Sequence, residues 1–434
     1  MPVPRGQALL FYYLHLQRNM LGRTISLYTN AYSGLSKSTW LLSLVMLVNR
    51  SGTMVIPFMT IYLTQPSMGY SIGQAGLVMG IFGLGAVCGG FLGGRLTDRL
   101  GFYRVQLVTL TGGGLLFMTL GQMKSYPLIC VCTFLLSVVN EAFRPANSTA
   151  IAHYCKEENR TRSYSLNRLA VNLGWAVGGA IGGILASINY HLLFWVDGIT
   201  NILAAILLRY FLSAAATSAP ISAAATAAPI PKESAPPAPA GSPYRDKIYL
   251  QFIGCTILFA GCFFQLFTIL PVYYKKVLHM PEYMIGLLMT LNGVIITLFE
   301  MVLVFKLEGK KENLFYIFNG VLVVTLSFLL LNILPLSVIS AFICMLLVTI
   351  GEIMAMPFMN SFWIARTAKN NRGQYAGLYT IAWSTAQALG PIGGSQGAEH
   401  WGFRTLWWIV SGICLLSAIG FRWLRQNQAA AVNE

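Results

Sequence analysis

Seven ionisable side chains stand in or at the edge of long apolar runs of this chain: Arg50, Glu141, Arg144, Arg168, Asp197, Glu300 and Glu352. Glu141 and Arg144 are three residues apart, so on a helix they share a face and form either a self-neutralised pair or a proton site with its counter-charge. Glu352 has no basic residue within a turn of sequence. An unpaired carboxylate buried among apolar residues is expected to take up a proton. Glu300, six residues before Lys306, is read as a member of a buried ion pair or as a second proton carrier. Asp197 is expected to be solvated or capping, near the end of its run. Arg50 and Arg144 are candidate counter-charges, or anchors for an anionic group, and Arg168 is a weaker candidate of the same kind. Asn49, Asn140 and Gln265 are the uncharged polar candidates beside them. His153, a lone histidine at a helix end, is read as structural.

The runs that hold these residues are membrane spans. Of 434 residues, 56% are hydrophobic and only 10% charged, with a mean hydropathy of +0.63, where soluble proteins carry about a quarter charged residues. Most soluble enzymes and nucleic-acid binders are thereby excluded. About 20 apolar residues make a spanning helix, and by that measure there are twelve: 40–64, 72–97, 103–123, 126–152, 163–187, 191–212, 246–274, 283–306, 313–332, 335–364, 373–397 and 401–424. A charge at the centre of such a span costs at least about 2.5–3.5 kcal/mol, so the embedded ones are candidates for function. The organisation expected is an interfacial or cytoplasmic segment 1–39, a six-helix bundle 40–212, and a flexible Ala/Pro-rich linker 213–243. A second six-helix bundle, 244–425, and a short tail, 426–434, complete it.

In segment 1–39 the run Leu9–Leu14, followed by Arg18 and Arg23, reads as an amphipathic helix on the membrane surface. No small-residue cleavage site follows a clean apolar core there, so a cleavable signal peptide is not expected. Lys and Arg outside the spans number 22 on the side of the termini and linker against 4 opposite. That bias predicts cytoplasmic termini and accounts for most of the +15 net charge without a nucleic acid. Short loops and the lack of a signal peptide fit a bacterial inner membrane. The eight cysteines lie mostly in apolar runs and read as packing residues; no metal site and no cofactor are expected.

The halves repeat. Pro145, Asn159-Arg160 and Gly178-Gly179-Ala180-Ile181-Gly182 recur at a constant offset of 212 residues as Pro357, Asn371-Arg372 and Gly390-Pro391-Ile392-Gly393-Gly394. The same offset aligns Glu352 with Asn140. Internal repeats of this kind, with a central site between two halves, mark secondary transporters. No Gly-x-x-x-x-Gly-Lys-Ser/Thr loop is present to drive an ATP-powered pump.

After the second span stands Gly94-Arg95-Leu96-Thr97-Asp98-Arg99-Leu100-Gly101-Phe102-Tyr103-Arg104. It resembles the signature loop of the major facilitator superfamily, departing from the pattern at Phe102. The resemblance implies an all-α membrane protein of the major facilitator fold, with twelve transmembrane helices in two pseudo-symmetric six-helix bundles. It also implies that Gly94, Asp98, Arg99, Gly101 and Arg104 help to close a cytoplasmic gate. Gly174, Gly178 and Gly182, with Gly179 and Gly183, resemble the glycine motif of drug:proton antiporters, and Gly390-Pro391 is its second copy. Small residues at this spacing also let helices pack closely. Arg50 with Pro57-Phe58 and Tyr62-Leu63, Arg144-Pro145-Ala146-Asn147, and Gly351-Glu352 before Pro357 are similar to the multidrug:proton antiporter branch. That likeness implies proton-carrying acids and amphiphilic or lipid substrates. His153 stands where relatives carry an acid. Arg144-Pro145 also resembles, loosely, proton-coupled peptide symporters.

The function expected is therefore proton-coupled export of amphiphilic small molecules or lipids by alternating access, through Glu352 with Glu141 and Glu300, by a monomer in the bilayer. The alternative is symport of a peptide or another small anionic or zwitterionic solute. A non-transporting lipid-binding or receptor protein on the same fold is a third class. Phe58, Tyr62, Phe263, Phe264, Gln265, Tyr273, Met354, Met356 and Trp383 are the candidate cavity lining.

Overall fold

The computed structural model describes residues 34–156, 159–212, 242–367 and 371–433, and every regular element among them is helical. The run Leu9–Leu14 and nearly all of the linker lie outside the described residues. The first span is two helices, α1 (Lys37–Ser51) and α2 (Val55–Leu63). Then follow α3 (Ile72–Leu100), α4 (Phe102–Leu120), α5 (Tyr126–Tyr154), α6 (Arg160–Ile188) and α7 (His191–Phe211). The second half repeats the pattern with a divided first span, α8 (Lys247–Phe263) and α9 (Gln265–Lys276). It continues with α10 (Glu282–Leu307), α11 (Asn313–Ile333), α12 (Val338–Ala365) and α13 (Arg372–Asn433).

Among the described residues ten helices are long and apolar enough to cross a membrane. The last of them is two helices joined at Gly402, whose φ of 76° leaves the helical region. The 19-residue α4 runs between two of the ten. Gly101 joins α3 to α4 at φ 80°, a conformation that costs a residue with a Cβ and so fixes a tight helix-to-helix joint. Local signals set the ends: Ser36 caps α1 through the Thr39 amide, and Ser71 with Gln74 forms a reciprocal capping box on α3.

Two seams hold the halves together, α6 against α10 and α3 against α13. At the end away from the chain termini the first is backbone against backbone: a Cβ on Gly183 would fall 2.8 Å from the Glu282 carbonyl, and one on Gly286 2.3 Å from that of Gly179. The second is equally tight there. A Cβ on Gly76 would meet Ser395 Oγ at 1.7 Å, one on Gly80 Ile392 at 2.4 Å, and one on Gly83 the Ala388 backbone at 2.6 Å. The α3 stripe continues with helical spacing to Gly90 and Gly94, and the α13 stripe to Gly377 and Gly373. Among the described residues none of these four has any atom within 4 Å of a Cβ. The halves are therefore shut at the far end and parted along α3 and α13 at the end bearing the termini.

Candidate functional site

A cavity of about 200 Å³ lies between the halves. From the first half α2 gives Pro57, and α6 gives Asn172, Trp175 and Gly179; from the second come Phe263, Phe267, Met289, Asn292 and Glu352. Glu352 is half-buried at mid-helix in α12. Its Oε2 accepts a hydrogen bond from Asn292 Nδ2 at 3.1 Å, and the same amide donates to Thr349 Oγ1 at 3.0 Å. Among the described residues Glu352 makes no ion pair; the charges of Glu300 and Arg168 act on it from a distance. Asn292, Asn172 and Trp175 were not among the candidates. An asparagine in an apolar run is the one signal that points to the first two.

Glu300 pairs with Arg168 of α6, not with Lys306 on its own helix. The Arg168 side chain is half exposed and that of Glu300 buried. The contact joins the two halves where the α6–α10 seam approaches the termini end, so Arg168 belongs to the inter-half site.

The first half has its own polar chamber, about 20 Å³, lined by Asn49, Arg50, Asn140, Glu141 and Asn201. That is room for about one water molecule. Glu141 and Arg144 form the pair read from their spacing, Nε to Oε2 at 2.7 Å, with Arg144 turned outward and 62% exposed. The Arg50 side chain makes no hydrogen bond or ion pair among the described residues; Arg144 and Glu141 are the charges that act on it. Asn49 Nδ2 donates to Asn201 Oδ1 at 2.8 Å.

Of the two readings of Asp197 the capping one holds, and the expectation for Gln265 changes. Asp197 is completely buried, not solvated, and it caps another helix: its carboxylate accepts from the amides of Met54 and Val55 at the start of α2. Gln265 lies outside the wall of the central cavity. Its Nε2 donates to the carbonyls of Gly261 at 3.0 Å and Gly390 at 2.8 Å, tying α8 to α13. The glycine motifs run along the divided first spans of their halves. Gly174 faces Arg50, Gly178 faces Ser51 and Gly182 faces Met54, while Gly390 faces Gly261 and Gly394 faces Gln265. Pro391 lies inside α13.

Of the gate residues, Asp98, Arg99 and Arg104 are exposed, and their side chains make no hydrogen bond or ion pair among the described residues. Gly94 faces open space, and Phe102 packs on the rings of His153 and Tyr154. An inter-half contact of carboxylate to helix N-terminus does exist, at the opposite end: Glu399 of α13 accepts from the Gly73 amide that opens α3. Of the proposed lining, Phe263 is in the cavity wall. Trp383 packs against Phe263 and Phe264, and Phe58, Tyr62 and Tyr273 are buried in the helix core.

Two helical halves in sequence repeat, an acid in a cavity between them, and one end closed define a secondary transporter of two bundles. A family model of the Major Facilitator Superfamily matches residues 39–391, and the chain belongs to that family. It is a multi-pass membrane transporter, not an enzyme. A Na(+), Li(+), K(+)/H(+) antiporter of Planococcus maritimus is 23% identical over 403 residues, covering 87% of this chain and 93% of the relative. In fold this chain is similar to a POT family transporter in complex with 5-aminolevulinic acid (TM-score 0.75, 14% identity, 89% of this chain and 96% of that one). It is also similar to a bacterial homolog of the human lysosomal transporter Spinster in an inward-facing and unoccupied conformation, with TM-score 0.71 and 14% identity. That match covers 90% of this chain and 98% of the other.

Proposed function

We propose that the protein exports amphiphilic small molecules or lipids in exchange for protons, by alternating access, with Glu352 as the group that takes up and releases the proton. The observation that carries this reading is the place of Glu352. It stands in the wall of the cavity between the halves, held by one neutral amide and, among the described residues, without an ion-pair partner. A carboxyl so placed changes its charge with access to water, and the charge of the cavity changes with it. The remaining wall of Trp175, Phe263, Phe267, Met289 and Met345 suits apolar ligands of varied shape. With a carboxylate beside the rings it suits a lipophilic cation. The antiport named for the Planococcus relative agrees with exchange against protons.

In this reading the bias of Lys and Arg sets the termini, and so the open end, in the cytoplasm of a bacterial cell. The protein works as a monomer. Asp98 and Arg99, idle here, make their contacts when that end closes. Arg50, whose side chain has no ion-pair partner among the described residues and lies beside Asn49 and Asn140, favours the second reading, proton-coupled uptake of a small anionic or zwitterionic solute such as a peptide.

Purified protein in liposomes with an imposed pH gradient and an internal pH dye separates the two. Tetraphenylphosphonium is expected to drive proton movement opposite to its own, and Glu352→Gln is expected to abolish that movement. Proton flow in the same direction as an added dipeptide sinks the exporter reading. Exchange that persists in Glu352→Gln sinks the role of Glu352.

A further inference from the structure

The interruption of the first span is held open by a side chain from another helix. In an unbroken helix the amide of Met54 would donate to the Arg50 carbonyl and that of Val55 to the Ser51 carbonyl. Here Met54 N donates to both oxygens of Asp197, at 3.1 and 3.0 Å, and Val55 N to Oδ2 at 2.8 Å. The Arg50 carbonyl takes the Thr53 amide at 3.1 Å instead. The backbone carbonyl of Asp197 accepts from Asn201 Nδ2 at 2.8 Å, and Asn201 in turn receives Asn49 of α1. One stretch of α7 thus grips the span on both sides of its break. Gly52 fits there because it lacks a side chain: a Cβ would stand 1.7 Å from Thr200 Oγ1. Beyond the break, α2 brings Pro57 to the cavity wall and packs against α9, helping to close the end away from the termini.

We infer that Asp197 is a positioning residue that selects between two hydrogen-bonded states of the first span. In one, seen here, the span is broken and α2 is seated on α9. In the other it is continuous, the amides of Met54 and Val55 return to the carbonyls of Arg50 and Ser51, and α2 leaves α9 as the far end opens. Each amide exchanges one acceptor for another, so no buried donor goes unpaired, which would cost about 1–3 kcal/mol; the Asp197 carboxylate, which gives up both amides, is rehydrated by the water that enters as the far end opens. A bistable element of this kind is tipped by a modest change in the packing around it. Proton coupling through Glu352 has no part in the exchange, so each can fail without the other.

Only two valines follow a methionine in this sequence, Val55 and Val302. Protein labelled with carbonyl-13C methionine and 15N valine in lipid nanodiscs therefore gives two backbone amide signals. The Val55 proton, bonded to a carboxylate, is expected downfield of Val302. Gly76→Leu wedges the closed α3–α13 seam at Ser395 and should move Val55 into the range of Val302, with Asp197 intact; Gly80→Leu, which meets Ile392, is the second wedge. Asp197→Asn should move it the same way without a wedge, and Asp197→Glu should restore part of the downfield position. A Val55 signal that stays in place in the wedged variants marks a static cap and overturns the switch. The same signal unmoved in Asp197→Asn overturns the role of Asp197.

Discussion

The two halves divide their first span at the same point of the repeat, and they do it by different means. In the first half three residues, Gly52 to Met54, leave the helix, and the carboxylate of Asp197 takes the amides that follow. In the second the joint is Phe264 alone, at φ −65° and ψ −14°, with Gln265 bridging to the Gly390 carbonyl. The positions that answer to Arg50, Glu141, Arg144 and Asp197 across the offset of 212 are Cys262, Ile353, Met356 and Ile409. The positions that answer to Glu300 and Glu352 are Cys88 and Asn140. A divided span thus needs no charge to form, since glycine contacts and neutral hydrogen bonds suffice in the second half. In the first half the acids Glu141 and Asp197 find their partners within their own bundle, whereas in the second half Glu300 and Glu352 face the partner half.

If that division of labour is real, the largest difference should appear between two acids. Glu352→Gln is expected to lower gradient-driven proton movement by about 100-fold or more, as loss of a positioned proton-transfer group does. Glu141→Gln, which removes an acid already neutralised by Arg144, should cost less than about tenfold by the same measure. Equal losses in the dye assay would erase the contrast between the halves.

Next in size is the contact between them. Arg168→Gln leaves the buried Glu300 without its partner, at a cost on the order of 1–3 kcal/mol. It should lower the midpoint of thermal unfolding in detergent, and adding Glu300→Gln should recover most of the loss. A double variant no more stable than the single one would show that the pair does not act as a unit. Gln265→Leu should cost about 1 kcal/mol for its lost hydrogen bonds, with proton movement retained; a transport defect larger than the stability defect would return Gln265 to the substrate path. At the small end, Arg425→Ala opens the exposed pair with Glu312 and is expected to shift stability by about 0–1 kcal/mol.

The sequence carries the spans, the repeat and the isolation of Glu352 openly, because apolar length, spacing and the absence of a nearby base are local properties. The loop that resembles the family's signature was equally plain. What stayed hidden depends on the path of the chain in space. Arg168 finds Glu300 from the other half, 132 residues away, while Lys306 is the closer base in sequence. Asp197 looked like a residue at the water's edge because its run of apolar neighbours is near its end. Only the folded bundle brings it beside the interruption at Gly52, where the buried amides need an acceptor. Gln265 sits in an apolar run as Glu352 does, but neutral amides also serve to stitch helices, and sequence does not distinguish the two uses.

Gly90, Gly94, Gly373 and Gly377 face empty space while the stripes they extend are pressed together further along. An alanine at any of them should raise helix stability by roughly 1 kcal/mol in the state seen here. In a state where that end has closed, the same methyl groups would stand between two backbones. Selecting variants for thermal robustness should therefore enrich substitutions at these four sites and, in doing so, collect proteins that have stopped cycling.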